Sequence, residues 1–305
     1  MNSKPRRGLA KKRLSTKGGV VTIAIGFRFD GGALFCADTK FTGAMVLQDS
    51  KIYAQPYGSQ AKSIFVIAGN VAYARMAVRQ CESAIAQLTH PTLREMAAVI
   101  EEQLLDVHRK HIFPHPDRGL VGGPDFWLLI GLWSPVDGLG TYYTAQTALS
   151  PFDAYYCVGS GDYLAHYLIK PKYEGLQHTL KQVTVIACTT LIEIKSYDAD
   201  CGGDSQFRIL DNDGWLGQMQ QYKVSTAETF SKKFRQSSDL LFTALYSNKN
   251  YRQGADEYFE FFKRQVLDAA EKHKQENDSY DALADALSAM TKATLSTSQK
   301  SEPGQ

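Results

Sequence analysis

The chain has 305 residues, of which 44% are hydrophobic and 22% charged, and carries a formal net charge of +2. This is ordinary globular composition, with apolar residues enough for a sizeable core in one large domain or two modest ones. The cationic excess sits in residues 1–17, where Lys4, Arg6, Arg7, Lys11, Lys12, Arg13 and Lys17 stand without an acid; the near-neutral remainder argues against a nucleic-acid-binding body.

Five cysteines (Cys36, Cys81, Cys157, Cys188 and Cys201) are widely spaced, odd in number and without a CxxC pair. That pattern suggests neither a disulfide framework nor a zinc site, and fits reduced thiols in the cytoplasm. No run approaches the roughly 18 apolar residues of a membrane span. Gly18-Gly19 follow the basic start where a signal peptide would have its apolar core, so neither secretion nor membrane association is expected. No metal or organic cofactor is indicated.

Residues 1–19 read as a disordered basic arm or a removable propeptide, and both readings stay open. Val20–Phe29 and Ala33–Ala37 flank Asp30-Gly31-Gly32 as a β-hairpin. Strands are expected at 51–55 and 63–68. The apolar period then lengthens to that of a helix, over residues 70–88 and again from Pro91, a favoured first helical position, to His108. Strands resume at 126–133, 139–146 and 155–158, followed by helices at 161–169 and 180–195. Residues 206–210 and 215–222, flanking Asp211-Asn212-Asp213-Gly214, read as a last hairpin. This order of strands, helices, strands, helices and strands predicts an α+β fold, a four-layer α-β-β-α sandwich, over residues 20–224. Residues 225–305 read as a C-terminal helical extension, with helices at 251–275 and 280–293 and a polar tail.

Five local features could carry chemistry. Thr22 begins one strand of the first hairpin and Asp38, sixteen residues on, ends the other, so hydroxyl and carboxylate can meet. Lys51 precedes a strand; a lysine held near a carboxylate and a hydroxyl lowers the pKa of a nearby amine or hydroxyl. In Ile67-Ala68-Gly69-Asn70 a strand gives way to a helix at a glycine whose backbone N–H could hold an oxyanion. Gly159-Ser160-Gly161 lies between a strand and a helix, where Ser160 could reach a site at the sheet edge or merely cap the helix. Asp198-Ala199-Asp200-Cys201-Gly202-Gly203 joins a helix to a strand through paired glycines, which alone would be read as a turn.

In this order and at these spacings the five features resemble the proteasome β-type subunit family of the N-terminal nucleophile hydrolase superfamily, including its bacterial proteasome-like relatives, over about residues 20–222. The family's Ala-Asp-x-Arg/Lys-x-Thr segment is matched at 37–42, its Ala-Gly strand end at 68–69, its Gly-Ser-Gly at 159–161, its Asp-x-x-Ser-Gly-Gly segment at 198–203 with Cys201 in the serine's place, and its Asp-Gly-Trp turn at 213–215. The resemblance implies a threonine-type peptidase freed by self-cleavage before Thr22, with Thr22 as nucleophile. It implies Asp38 and Lys51 as electrostatic partners, Ser160, Asp198 and Cys201 as positioning groups, and the Gly69 N–H as oxyanion donor. Phe41, Ile67 and Val71 fall where the family lines its side-chain pocket, which implies an apolar preference. The implied partners are further copies of the same chain in a ring, polypeptide substrates, and an ATPase or cap complex. The alternative is a structural subunit that keeps the fold without the chemistry; Val21 stands before Thr22 where active precursors usually have glycine.

Overall fold

The computed structural model describes residues 23–41, 47–120, 123–247, 260 and 263–264. The chain divides into two compact units, residues 1–232 and 233–305. The first is a mixed α/β unit built on two five-stranded antiparallel sheets. One sheet is formed by β1 (Ile23–Phe29), β2 (Gly32–Asp38), β10 (Tyr155–Gly159), β11 (Ser205–Asp211) and β12 (Leu216–Gln218), in the order β10-β1-β2-β11-β12. The other runs β5-β6-β7-β8-β9, from β5 (Ile52–Tyr57), β6 (Ala61–Gly69), β7 (Phe126–Ser134), β8 (Gly138–Ala145) and β9 (Ala148–Pro151). Short strands β3 (Lys40–Phe41) and β4 (Leu47–Gln48) pair beside them.

The period-2 geometry of a strand sends alternate side chains to opposite faces, and both faces here are buried. In β1 and β2, Ile23, Ile25, Phe27, Leu34 and Cys36 pack with α3 (Asp162–Ile169) and α4 (Leu180–Tyr197), through residues such as Ala165, Val183 and Leu191. In β6 and β7, Phe65, Ile67, Leu128 and Ile130 pack with α1 (Val71–Ile85) and α2 (Leu93–Val107), through Val78, Met96 and Ile100. The alternate residues Ala33, Phe35 and Ala37 of one sheet and Ile64, Val66 and Leu129 of the other form a third cluster between the sheets. Gly131 owes its lack of a side chain to Phe35, since a Cβ there would lie 2.7 Å from that ring; a Cβ on Gly26 would meet the Phe152 ring at 2.8 Å and the Phe35 ring at 3.2 Å.

Several elements differ from the sequence expectation for identifiable reasons. Pro91 lies outside α2; Thr92 is the N-cap, its side chain accepting from the Glu95 N–H while Glu95 reaches back to the cap, so the helix starts at Leu93. That helix then widens into a five-residue π turn, His108–Ile112, which carries the helical stretch past His108, where the sequence places its end. The last hairpin is shorter than expected. Its second strand stops at Gln218, and α5 (Gln221–Ser247) already contains Tyr222 and runs through Ser225. Strand β9 and the β3–β4 pair were not anticipated. The basic arm lies outside the described residues, as do the helices expected at 251–275 and 280–293, save Glu260, Lys263 and Arg264, which are helical. Among the described residues, no helix is long and apolar enough to cross a membrane.

Because Phe35 is fully buried between the sheets, its ring has no room to retreat. Gly131→Ala should therefore destabilise the protein by about 1–3 kcal/mol, read as a lower denaturant midpoint at unchanged slope; an unchanged midpoint would show that the inter-sheet layer is loosely packed.

Candidate functional site

The Asp30–Gly31 turn, with Gly31 at φ 93°, folds β2 back on β1 so that Ala24 pairs with Ala37. This register puts the head of β1 beside the end of β2, and the Ile23 N–H donates to Asp38 Oδ1 at 3.2 Å. Lys51, just ahead of β5, donates from Nζ to the same oxygen at 2.6 Å and also to the Lys40 carbonyl. Its main chain is pinned on both sides, its N–H donating to Gln206 Oε1 and its carbonyl accepting from the Ile67 N–H. The other carboxylate oxygen, Asp38 Oδ2, accepts the Gly202 N–H at 2.9 Å. Both side chains of this ion pair are fully buried. Burial lowers the Lys51 pKa below the usual 10.5, and the charge of Asp38 pulls it the other way.

A second group of predicted residues converges on Asp198, the residue that ends α4. Ser160 Oγ donates to Asp198 Oδ2 at 3.2 Å, and the Cys201 thiol lies 3.6 Å from the same oxygen. The Asp200 N–H closes the turn on Asp198 Oδ1. Burial, and then the charges of Asp38 and Asp198, push the Cys201 thiol pKa well up. Ile23 pairs with Gly159, and a Cβ on Gly161 would touch both Ile23 and Cys201, so this group also abuts the head of β1.

Gly69 has φ 84°, which favours glycine, and a Cβ there would collide with the Asp125 carbonyl at 2.6 Å. Asn70 follows as the N-cap of α1, accepting from the Ala72 and Tyr73 N–H groups. Gly69 and Ser160 line one cavity of about 530 Å³, together with Asn70, Asp125, Tyr143 and Tyr156 among others. Thr22 itself lies outside the described residues, so the structure brings together Asp38, Lys51, Ser160, Asp198 and Cys201 around the residue that follows it, with Gly69 and Ser160 lining the same cavity.

Phe41, Ile67 and Val71 meet in one apolar cluster, Phe41 and Ile67 buried and Val71 half-buried. The Phe41 ring carries Lys51 Nζ 4.7 Å from its centroid and the Arg75 guanidinium 5.6 Å from it. Beyond Arg75 opens a cavity of about 290 Å³ lined by Asp49, Ser50, Tyr53, Arg75, Val78 and Arg79, which sets charged groups beside apolar surface. Arg75 bridges Asp49 Oδ2 at 2.5 Å and the Tyr53 hydroxyl at 2.8 Å there, holding the Asp49 carboxyl below its usual pKa.

Residues that sequence reasoning did not single out complete the surroundings. Thr39 Oγ1 accepts the Asp204 N–H at 2.8 Å and Lys40 Nζ donates to the Ala199 carbonyl, tying the segment after Asp38 to the 199–204 turn. Lys195, Ser205 and Glu228 hold that turn from its other side. Among the described residues, no group of three His, Cys, Asp or Glu side chains is placed to hold a metal ion.

The buried pair makes a stability prediction. Asp38→Asn leaves the Lys51 ammonium in the interior without its countercharge and should cost about 3–5 kcal/mol. The double variant Asp38→Asn/Lys51→Met should recover most of that loss, since neither charge is then buried. Denaturant unfolding of both decides it; a double variant no better than the single one would mean the ion pair is not what the site's stability turns on.

No protein-family model matches this sequence, and no curated protein matches it. Solved structures do match in fold. The chain is 13% identical to Anbu from Hyphomicrobium sp. strain MC1, over 72% of this chain and 97% of that one, with a TM-score of 0.58. It is 14% identical to Anbu, described as an ancestral beta-subunit, from Yersinia bercovieri, over 71% and 96%, with a TM-score of 0.59. It is 13% identical to the chain of a helical assembly of the Anbu complex from Pseudomonas aeruginosa, over 76% and 100%, with a TM-score of 0.60. At these identities the likeness establishes a shared fold over about three quarters of this chain.

Proposed function

We propose that the chain is a threonine-type peptidase of the N-terminal nucleophile kind, in which Thr22 becomes the first residue by self-cleavage after Val21. The observation that carries the reading is the fully buried Asp38–Lys51 pair gathered at the head of β1, with the Ile23 N–H on the same carboxylate oxygen that takes the ammonium. A buried ion pair is a poor device for stability alone, and this one stands where the sequence puts a hydroxyl.

In this reading the freed Thr22 α-amine takes the hydroxyl proton as Oγ attacks a peptide carbonyl. The new C–O bond forms, the oxyanion is held by the Gly69 N–H, and the C–N bond breaks as the amine passes its proton to the leaving nitrogen. Water then adds to the acyl group, its proton returns through the amine, and the acid product leaves with Thr22 restored. Lys51, oriented by Asp38, lowers the amine's pKa by like charge, while Ser160 and Asp198, with Cys201 beside them, position amine and water. Phe41, Ile67 and Val71 back the substrate's side-chain pocket. The packing clusters support a four-layer α-β-β-α sandwich over residues 20–224, and residues 225–305 serve as an extension of it. The Pseudomonas aeruginosa relative in fold forms a helical assembly; self-association into a ring or related oligomer, polypeptide substrates, an ATPase or cap complex and a cytoplasmic setting complete the proposal, the last in keeping with five free cysteines.

Intact mass and N-terminal sequencing of the purified protein beside Thr22→Ala test it. The wild type should begin at Thr22 and the variant should retain residues 1–21, with hydrolysis of a mixed fluorogenic peptide set falling by more than about 10³-fold in the variant. Full-length chain in both, with no hydrolysis, would instead favour a structural subunit.

A further inference from the structure

Lys195 lies in the last turn of α4, with its side chain 15% exposed. Its ammonium donates to the Gly203 carbonyl at 2.8 Å and to Ser205 Oγ at 2.7 Å, and lies 3.3 Å from Glu228 Oε1. Ser205 Oγ donates to the same Glu228 oxygen at 2.5 Å. Glu228 comes from α5, within the first compact unit, and is itself only 17% exposed. Three side chains from α4, β11 and α5 thus share one polar contact, with the ammonium and carboxylate supplying opposite charge in a mostly dry setting, where such contacts are strong.

What this cluster grips is the Gly202–Ser205 segment, whose other side is the floor of the candidate site. Gly202 donates its N–H to Asp38 Oδ2, and Ser205 is the strand-register partner of Asp38. The Lys40 N–H donates to the Gly202 carbonyl at 3.0 Å, and a Cβ on Gly203 would come within 2.4 Å of Thr39 Oγ1, so the segment is seated tightly on residues 38–40. We propose that Glu228 is a positioning residue: acting through Lys195 and Ser205, it holds the Gly202–Ser205 segment against Asp38, and so the helix beyond the last strand is a working part of the site. The structural half of this inference stands on geometry alone, whereas its catalytic half rests on the peptidase reading. Without Glu228 the Lys195 ammonium keeps only neutral acceptors and is drawn toward water, loosening its hold on Gly203. The Gly202 N–H then meets Asp38 for a smaller fraction of the time.

Amide hydrogen exchange on the full chain, compared between wild type, Glu228→Ala and Glu228→Gln, reads this directly, with Thr229→Ala as a control on the exposed side of the same helix. Exchange over residues 202–204 should rise at least about tenfold in Glu228→Ala, the scale of one lost hydrogen bond to a charged group. It should rise less in Glu228→Gln, which keeps an oxygen acceptor, and not at all in the control, while β6 and β7 stay as in wild type. Unchanged exchange at 202–204, or a rise of equal size across both sheets, would overturn the proposal. Peptide hydrolysis supplies the second readout: kcat should fall in Glu228→Ala with KM little changed, and Glu228→Gln should restore part of it. If the wild type hydrolyses nothing, the peptidase reading fails while the exchange comparison still decides the positioning role. If the wild type is active and exchange at 202–204 does not move, the positioning role fails and the peptidase reading stands.

Discussion

The Asp38–Lys51 ion pair is the constraint around which the first unit is arranged. Taking either charge out of water costs several kcal/mol, and only close geometry with further donors offsets it. The carboxylate therefore collects the ammonium, the Ile23 N–H and the Gly202 N–H, three donors from three separate stretches of chain. Each contact demands that its segment arrive in register. The β1–β2 hairpin must pair Ala24 with Ala37, β11 must bring Ser205 opposite Asp38, and Lys51 must be held between Gln206 and Ile67. A slip of one residue in any of these strands would turn its side chains to the wrong face and leave a buried charge without partners.

The balance at Lys51 follows from the same arrangement. Desolvation lowers its pKa and the Asp38 charge raises it, so the acidity of this ammonium depends on how closely the carboxylate is held to it. The Ile23 and Gly202 N–H groups help to hold it there. Backbone donors are fixed only as well as the turns that carry them, which makes the 199–204 turn a control on the electrostatics at the head of β1. Its ties to Lys40 and Thr39 on one side and Lys195 on the other are how the fold supplies that fixity.

Much of the fold was legible because buried strands and amphipathic helices leave periodic marks. The Asp30-Gly31-Gly32 turn, the switch to helical period after Gly69 and the strand pairs around residues 126–146 all appear where the sequence places them. Boundaries failed where local chemistry outweighed pattern. Pro91 was the visible signal, but the Thr92–Glu95 capping box sets the start of α2, and that box could have been read from Thr-x-x-Glu. After Gln218 the run Met219-Gln220-Gln221-Tyr222 carries no turn signal, so a strand was extended into the first turn of α5. Motif order and spacing single out Asp38, Lys51 and Asp198, whereas nothing in the sequence marks Glu228. A glutamate on a helix rich in polar residues looks like a solvated face, and only the fold reveals that it meets Lys195, thirty-three residues earlier.

That blind spot has a structural logic. The residues at the head of β1 sit at strand ends and turns, where glycines and short motifs betray them, but the groups that hold those turns need only be long, charged and correctly placed. Lys195 reaches Gly203 from a helix end and Glu228 reaches Lys195 from another helix, so neither needs a sequence neighbour of any particular type. Among the described residues β12 is the last strand, pairs only with β11 and is short. By following it at once with a helix whose carboxylate returns to Ser205, the chain ties β11 at the residue opposite Asp38. The edge of the sheet is thereby fixed from the helix side, and the carboxylate that faces Lys51 inherits that rigidity.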